Sequence, residues 1–443
     1  MQLVMMNKLL QHWKRYYKYY ALTLLCPVII TCTLLISPSV SATAEPARRA
    51  DSFVDSIGIN THLYYNDTPY FQKYQQVVKP KLLELGVRHI RDGGSRNLNG
   101  YLDRLQELKN NGIGATLIFD PRGGTPEEGL ALVKELGNVV EAVEGPNEYD
   151  LSGDSNWVAT LRQYMEQLHQ VIKADAQTQN LPVLGPSLTS PKAYKAMGNI
   201  GNFVDYGVLH NYFSGRNPGT KGWGPNGYGS IPYGINLSNQ YAPQKPVITT
   251  ETGYHNAIKT KEGHLAVPEN VAQKYIPRMF LEQFNQGIKR TFGYELMDLQ
   301  NNTTKDISGL NFGLLRNNGA VKPSFTSLKA LIQILKDPGG SNFAPGTLNY
   351  SLTGNTSNLH HTLLQKSNGK FYLVLWQETA GFDVNTKKPI KVPMQKVQLV
   401  LGQTITQAKL YSLKNYAKPA KQYKNPQKIP LSVPDQPLII ELS

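Results

Sequence analysis

The stretch "GNVVEAVEGPNEYD", residues 137–150, places an apolar run before a Gly-Pro pair and then before Asn147 and Glu148. Gly-Pro is a turn signal, so the apolar run is predicted to be a strand that ends just before Asn147. Loops that a rigid scaffold holds at strand ends concentrate catalytic residues. A lone Asn-Glu pair is more often a solvated loop, so the rest of the chain has to decide between the two interpretations.

An amphipathic helix is predicted directly after this motif. Its apolar residues recur at helical spacing: Trp157, Leu161, Tyr164, Met165, Leu168, Val171 and Ile172. Seven further apolar runs alternate with helical patterns, at residues 56–65, 87–94, 114–121, 181–187, 205–213, 246–254 and 290–298. Eight strand–helix units in roughly 280 residues fit a (β/α)8 barrel. A doubly wound open sheet is the alternative, but no Gly-rich phosphate-binding fingerprint opens any unit. A proline within "ENVAQKYIPRMFLEQFNQGI" is predicted to end or kink that helix.

The pattern changes after Gly340. Short alternating runs separated by turn residues predict a small antiparallel β-sandwich: residues 347–352, 360–366, 370–378, 396–402, 405–413 and 437–443. The predicted domains are therefore a signal peptide at 1–42, a catalytic α/β barrel, the (β/α)8 TIM barrel, at 50–338, and a β-sandwich accessory domain at 339–443.

The first 42 residues are typical of a secretory signal, with a basic start, the apolar run "ALTLLCPVIITCTLLI" and small residues after it. An uncleaved membrane anchor is the alternative, because the apolar run approaches the length of a short membrane span. Cys26 and Cys32 are the only cysteines and lie in this segment, so the mature chain has no disulfide framework. The protein is predicted to be secreted or periplasmic, or membrane-anchored if the signal is retained.

The formal net charge is +14, and it is lower by four without the basic residues of the first 42. A basic exported protein can favour acidic polysaccharides or anionic surfaces. The lysines are spread along the chain and no nucleic-acid motif is present, so a general surface charge is the preferred interpretation. We predict no nucleic-acid partner and no membrane contact beyond the alternative anchor. No oligomeric state is indicated.

Barrels of this type carry their active sites at the C-terminal ends of the strands. Predicted strand four ends in Asn147 and Glu148, and strand seven ends in Glu251. Two glutamates facing each other across a barrel mouth suit glycoside hydrolysis, which needs one carboxylic acid and one carboxylate. The two environments must differ so that one group stays protonated and the other ionised. Arg91 at the end of strand two and Tyr212 on strand six are available to keep Glu251 ionised.

At these residues the chain resembles the clan A glycoside hydrolases, which are retaining (β/α)8 enzymes. In outline it is most similar to family 39 and its relatives, which carry a β-sandwich beside the barrel. Asn147-Glu148 matches the acid/base motif at strand four, and Glu251 in "TTETGY" matches the nucleophile at strand seven. The resemblance covers residues 57–337 well and the sandwich in outline.

The resemblance also implies roles for neighbouring residues. It implies that His210 and Tyr212 on strand six hydrogen-bond the nucleophile and the sugar, that Asn147 holds a sugar hydroxyl, and that Arg91 lies near the nucleophile. Glu144 matches a glutamate that often precedes the motif, and it is predicted to be a buried brace. Strand eight departs from the family, since "GYELMD" offers Tyr294, Glu295 or Asp298 where a tryptophan usually lies under the sugar.

Further substrate contacts are predicted around the barrel mouth. His62 at the end of strand one is either a substrate contact or part of the packing, and Glu295 is a candidate hydrogen-bonding group. Aromatic faces pack on sugar C–H surfaces, and Trp223 in "RNPGTKGWGPNGYG" and Tyr254 are candidate platforms, as are Tyr64, Tyr65 and Tyr228. No metal site and no cofactor are predicted, because the histidines lack ligand spacing. A serine hydrolase is disfavoured because no G-x-S-x-G motif appears.

Together these features predict an exported retaining β-glycoside hydrolase that cleaves an oligo- or polysaccharide by double displacement, with Glu148 as acid/base and Glu251 as nucleophile. The alternatives are a transglycosylase that remodels exopolysaccharide and a glycan-binding barrel whose catalysis has lapsed. A structural protein that acts through its basic surface is a further alternative.

Overall fold

The computed structural model describes residues 43–94, 98–261 and 263–443. The predicted signal segment, residues 1–42, lies outside the described residues. Two short strands open the described chain, β1 (Thr43–Pro46) and β2 (Arg48–Arg49), and both pair with strands of the C-terminal domain. Within the described ranges, no helix combines the length and the apolar character that crossing a bilayer requires.

Eight parallel strands form the central sheet. They are β3 (Ile57–Asn60), β4 (His89–Gly93), β5 (Gly114–Ile118), β6 (Val140–Glu144), β7 (Val183–Leu184), β8 (Gly207–His210), β9 (Val247–Thr252) and β10 (Thr291–Gly293). Their spatial order is β7-β6-β5-β4-β3-β10-β9-β8, and a parallel bridge between Leu184 and Tyr206, next to β8, joins the two ends of the sheet. Each strand falls within one of the eight predicted runs. The barrel prediction is confirmed, and the open-sheet alternative is wrong.

Helices follow the strands around the barrel. They are α1 (Ala50–Asp55), α2 (Pro69–Gln72), α3 (Lys79–Leu85), α4 (Tyr101–Asn110), α5 (Pro126–Leu136), α6 (Trp157–Ala174), α7 (Pro191–Met197), α8 (Ile231–Tyr241), α9 (Glu269–Asn285) and α10 (Pro323–Leu335). The apolar stripe of α6 is buried as its spacing predicts, with Leu161, Met165 and Leu168 at the centre. Because helices cover the outside and side chains fill the inside, the parallel strands are buried on both faces.

Pro277 is the proline predicted to end or kink the helix before β10. Helix α9 does not end at Pro277 but continues through it to Asn285. Pro277 is buried, and so are the residues on either side of it, Ile276 and Arg278. Packing on several sides outweighs the local cost of the missing backbone hydrogen bond, since tertiary context routinely overrides intrinsic helix propensity.

The C-terminal domain is an antiparallel β-sandwich, as predicted. Its strands are β11 (Thr347–Gly354), β12 (Leu359–Gln365), β13 (Phe371–Gln377), β14 (Phe382–Asp383), β15 (Lys388–Pro389), β16 (Gln395–Leu401), β17 (Gln407–Ser412), β18 (Lys421–Lys424), β19 (Lys428–Val433) and β20 (Leu438–Leu442). One sheet has the order β1-β11-β16-β19 and the other β18-β17-β20-β13-β12-β2. Strands β1 and β2, which precede the barrel, therefore complete both sheets.

The six-stranded sheet is buried on both faces near its centre. One face packs on the four-stranded sheet through Leu373, Leu399 and Ile440. The other face joins the barrel core through Val374 and Trp376. Successive residues of β13 and β20 point to opposite faces of the sheet, and both faces are covered. The sequence runs of these two strands are therefore almost continuously apolar. Barrel and sandwich consequently form one compact unit.

Candidate active site

The C-terminal ends of the barrel strands surround a cleft of about 810 Å³. Its lining includes both predicted catalytic glutamates, Glu148 after β6 and Glu251 on β9. Arg91, Asn147 and His62 line the same cleft. Residues that are far apart in sequence meet there because parallel strands in a barrel end at one face.

Arg91, on β4, connects the two strands that carry the glutamates. Its side chain is only 2% exposed. Nε and Nη2 donate to the two carboxylate oxygens of Glu144 at 2.6 and 2.9 Å, a forked geometry that fixes the guanidinium plane. Nη1 donates to Glu251 Oε1 at 2.7 Å and to Asn60 Oδ1 at 2.9 Å, and Nη2 also reaches Asn147 Oδ1 at 2.8 Å. Glu144 therefore lies where it orients Arg91, as a buried brace would.

Glu251 is surrounded by groups that favour its charged form. Tyr212 donates its hydroxyl to Oε2 at 3.0 Å, and His210 Nδ1 lies 3.6 Å from the same oxygen. Burial by itself raises the pKa of Glu251, but the charges of His210 and Arg91 and the hydrogen bonds from Arg91 and Tyr212 outweigh burial and lower the pKa. At neutral pH this carboxylate is therefore ionised and held in place.

Glu148 lies in a different environment. Its backbone is left-handed, with a φ of 47°, and its amide donates to Ser187 Oγ at 3.0 Å. The Ser187 hydroxyl in turn lies 3.3 Å from Asn147 Oδ1. Ser187 therefore contacts both residues and stabilises the turn that carries the Asn-Glu pair. The Glu148 side chain is 32% exposed, against 12% for Glu251. Solvent and a leaving group can therefore reach Glu148 more readily.

His210 lies between the two carboxylates. Its Nδ1 is 2.7 Å from Glu148 Oε1, closer than to Glu251. Burial lowers the pKa of His210, but the charges of Glu251 and Glu148 outweigh burial and raise the pKa. One ligand atom from each of the three residues lies within 4.8 Å of the others. Such a group can bind a metal ion, but the Arg91 guanidinium already occupies Glu251 and disfavours a second cation.

The end of β10 carries Tyr294 and Glu295, and the two side chains lie in different places. Tyr294 lines the cleft. Glu295 is fully buried, accepts the Tyr70 hydroxyl at 3.1 Å and lies 3.3 Å from His62 Nε2. Glu295 therefore lies beneath His62 and reaches the cleft only through it, which differs from the predicted direct contact with sugar. Asp298 forms a buried ion pair with Lys322 at 2.8 Å.

The structure does not bring Trp223 and Tyr254 to the cleft. Trp223 packs on its own loop, with the Arg216 guanidinium 4.2 Å from its ring centre. Tyr254 is buried, stacks on Phe213 and donates its hydroxyl to the Arg216 carbonyl at 2.7 Å. Alternation along strand seven does not extend to Tyr254, which lies after the end of β9, so its direction could not be inferred from the strand pattern.

Four other tyrosines do line the cleft: Tyr64, Tyr65, Tyr164 and Tyr294. Tyr65 is stacked on His62 with ring centres 4.8 Å apart. Tyr64 lies against Gly93 at the end of β4, where a Cβ atom would come within 2.6 Å of the tyrosine ring. The glycine in "RDGG" therefore leaves room for an aromatic wall at this side of the cleft.

The sequence pattern missed several residues of this site. Asn60, the last residue of β3, binds Arg91, and its strand-end position could have indicated it. Arg122, after β5, donates to the Asn147 carbonyl at 2.7 Å. His264 is exposed and stacks on Tyr212 with ring centres 4.6 Å apart. It comes from a loop after β9 that carries no periodic signal, so nothing in the sequence placed it near the site.

Neither the models of known protein families nor the curated proteins include a match to this sequence. Solved structures do resemble it. A family 39 glycoside hydrolase from the gut symbiont Bacteroides cellulosilyticus WH2 gives a TM-score of 0.62 at 15% identity, over 90% of this chain and 83% of that one. A glucosidase from Croceicoccus marinus gives 0.57 at 8% identity, over 91% and 99% of the two chains. An endo-β1,6-glucanase gives 0.52 at 12% identity, over 91% and 94%. At these identities the likeness shows a shared fold, barrel and sandwich together.

Proposed function

We propose that this protein is a retaining β-glycoside hydrolase that cleaves an oligo- or polysaccharide, with Glu251 as nucleophile and Glu148 as acid/base. The observation that carries this proposal is that one oxygen of the Glu148 carboxylate lies within 4.8 Å of one oxygen of the Glu251 carboxylate, while Arg91 binds Glu251. Retaining enzymes need carboxyl groups about 5–5.5 Å apart, whereas inverting enzymes separate them by more to admit a water molecule.

The first step is attack by ionised Glu251 on the anomeric carbon, while Glu148 gives its proton to the leaving oxygen. Arg91 and Tyr212 hold the Glu251 carboxylate by hydrogen bonds at 2.7 and 3.0 Å. The glycosidic carbon–oxygen bond breaks and a covalent ester to Glu251 forms. In the second step Glu148 takes a proton from water, whose oxygen attacks the same carbon and releases Glu251.

His210 supports the change in charge on Glu148 between these steps. Because both carboxylates face its Nδ1, that nitrogen carries a proton in the neutral imidazole as well as in the charged one. When Glu148 has given up its proton, Nδ1 can donate to the carboxylate over the 2.7 Å that separates them. His210 therefore stabilises the base form of Glu148, which the second step requires.

The cleft is built to hold sugar rings. Four tyrosine side chains, Tyr64, Tyr65, Tyr164 and Tyr294, line a volume of about 810 Å³ together with charged and amide groups. Aromatic faces cover the apolar side of a pyranose, and the polar groups fix its hydroxyls. Export of the protein remains part of the proposal on the basis of its first 42 residues.

A product assay tests the proposal. Residues 43–443, which keep β1 intact, would be incubated with β-glucans, xylans, mannans, acidic exopolysaccharides and aryl β-glycosides, beside the Glu148→Ala variant. Released sugars are sized by mass spectrometry, and the anomeric configuration of the first product is read by NMR. We expect products of retained configuration from the wild type alone. An inverted product, or equal release by both proteins, would reject the mechanism.

A further inference from the structure

One segment of the sandwich has an unusual charge composition. Residues 384–434 contain ten lysines and no aspartate or glutamate. Lysines are spread over the whole chain, and that spread conceals the absence of acidic residues from this one segment. Large surface areas of a single sign are uncommon unless a protein uses them to attract a partner of opposite charge.

The fold brings five of these lysines to one edge of the sandwich, which we call the lysine edge. They lie in the β17–β18 loop, on β18 and at the start of β19: Lys414, Lys418, Lys421, Lys424 and Lys428. All five are exposed. No carboxylate of the described residues forms an ion pair with any of them, whereas the nearby Lys409 lies 3.5 Å from Glu441.

The position of these strands explains why the charges accumulate. β18 is the outermost strand of the six-stranded sheet, and β19 is the outermost strand of the four-stranded sheet. The register pairs Lys421 with Leu410 and Lys424 with Gln407, so the two lysines point to opposite faces of β18. The lysine edge therefore presents positive charge along the rim where the two sheets end.

Edge strands often carry lysine simply to prevent pairing with another chain. That role needs charge on the strand itself, and it requires neither lysines in the preceding loop nor a segment of about fifty residues without acidic side chains. The two roles make different predictions, because a protective lysine prevents aggregation whereas a binding lysine adds affinity for an anion.

Two tyrosines are interleaved with the lysines. Tyr416 and Tyr423 are half-buried and packed against the protein cores, Tyr423 on the sandwich side. Partly exposed aromatic faces suit sugar rings. A membrane-binding surface would instead project large apolar side chains, and within residues 414–428 of the described chain no large apolar side chain is among the exposed ones.

We infer that the lysine edge is a second carbohydrate-binding surface, separate from the cleft, that takes an acidic polysaccharide. The choice of a polysaccharide among the polyanions rests on the proposed function of the barrel. Each exposed lysine contributes little alone, but a polymer contacts several at once and is retained by their sum. A polymer held there is kept on the protein between cleavage events.

The test measures binding and activity separately. Polygalacturonate serves as the acidic probe and a neutral β-glucan as its control, at low salt and at about 0.3 M NaCl. The test variant replaces Lys418, Lys421, Lys424 and Lys428 with Gln. The matched control replaces four other exposed lysines, Lys192, Lys195, Lys289 and Lys336, with Gln and changes net charge equally. A Lys→Arg version of the test variant keeps the charge and guards against misfolding.

We expect wild type to bind polygalacturonate at low salt and to lose binding as salt rises. The test variant should lose about tenfold in affinity, since several weak exposed contacts act together, while the control and the Arg version stay near wild type. Equal loss in test and control variants would overturn the inference, as would stronger binding to anionic vesicles or poly-dT than to polygalacturonate. Aggregation of the test variant with unchanged affinity would assign the lysines to edge protection.

This outcome is independent of the proposed hydrolysis. Binding is measured in the Glu148→Ala background, so a protein that hydrolyses nothing can still bind through the lysine edge. Conversely, the test variant should retain wild-type turnover of an aryl glycoside, because none of the four lysines lines the cleft.

Discussion

Arg91 Nη1 lies 2.7 Å from Glu251 Oε1 while the rest of the same guanidinium is held by Glu144. One buried cation thus contacts two carboxylates, of which only Glu251 faces the cleft. The arrangement keeps the positive charge at Glu251 whether or not a substrate is present. Arg91 therefore stays paired with Glu144 when the Glu251 carboxylate is removed.

Glu251→Gln should abolish hydrolysis, with kcat/KM reduced by about a thousandfold or more, because the variant has no nucleophile. Thermal unfolding should change little, since Arg91 keeps both hydrogen bonds to Glu144. Activity on an aryl glycoside and the melting temperature are measured together. Glu141→Gln is the control for activity, because Glu141 also lies on a barrel strand, β6, but does not line the cleft. Retained activity with a normal melting curve would contradict the role of Glu251.

Arg91→Lys should shift the pH profile. Arg91 lowers the pKa of Glu251, so the acidic limb of kcat/KM in the wild type lies below the ordinary glutamate value. A lysine cannot reproduce the fork to Glu144 and the contact to Glu251 together, so the Glu251 pKa should rise and the acidic limb should move to higher pH. An equal loss of kcat/KM at every pH, with the apparent pKa of the acidic limb unchanged, would count against this electrostatic role.

Tyr212→Phe should reduce kcat/KM by about tenfold to a hundredfold, because it removes a hydrogen bond to a charged group. The acidic limb should again move upward, since the Tyr212 hydroxyl helps to lower the pKa of Glu251. Tyr254→Phe is a matched control from the loop after β9, because its hydroxyl donates to a backbone carbonyl outside the cleft. Similar losses in both variants would mean that Tyr212 acts through packing.

Glu295→Gln should change how stability depends on pH. Burial lowers the pKa of His62, but the hydrogen bond and charge of Glu295 outweigh burial and raise the pKa above the ordinary histidine value. A group whose pKa is raised on folding adds stability below its unfolded pKa and loses it as pH rises through the folded value. Burial also raises the pKa of Glu295 on folding, so this carboxyl group too reduces the free energy of unfolding as the pH rises. The wild type should therefore lose unfolding free energy as the pH rises above the ordinary histidine value, and Glu295→Gln should lose less. The free energy of unfolding in urea is measured for both proteins across that pH range. The same dependence on pH in the two proteins would contradict the prediction.

Arg278→Met should destabilise the whole chain. Arg278 on α9 is fully buried and pairs with Glu378 at the end of β13, which joins barrel to sandwich. Removing one member of a buried pair costs about 3–5 kcal/mol, because the other charge is left uncompensated. Lys274→Met, on the same helix, removes a more exposed pair with Asp435 and should cost at most about 1 kcal/mol. Equal effects of the two substitutions in urea unfolding would argue against a brace at this interface.

The barrel and the pairing of its two glutamates could be predicted because strands and strand ends leave local signals. A run such as residues 114–121 is apolar because it is covered on both faces, and the polar residue that follows marks the mouth. Side-chain direction beyond a strand end could not be predicted. Tyr254 and Glu295 both lie just past regular strands, and long-range packing buries Tyr254 in the core and Glu295 against His62.

Contacts that join distant loops were equally invisible in the sequence. His264 and Tyr212 are stacked, yet the loop after β9 that carries His264 has no periodic pattern. Strands β1 and β2 are short, and an isolated short strand has no signal until its partner is known. The charge of the lysine edge was present in the sequence, but an average over the whole chain concealed it.

The pairing of β1 with β11 brings Glu45 opposite Leu348, so the sandwich is interrupted in the chain by the whole barrel. In topological terms the barrel is an insertion within a discontinuous domain. Contacts of such long sequence separation form late, because a large loop must close before they are gained. We therefore expect the pairing of β1 with β11 to form after the barrel, because a folded barrel brings the two ends of this long loop together.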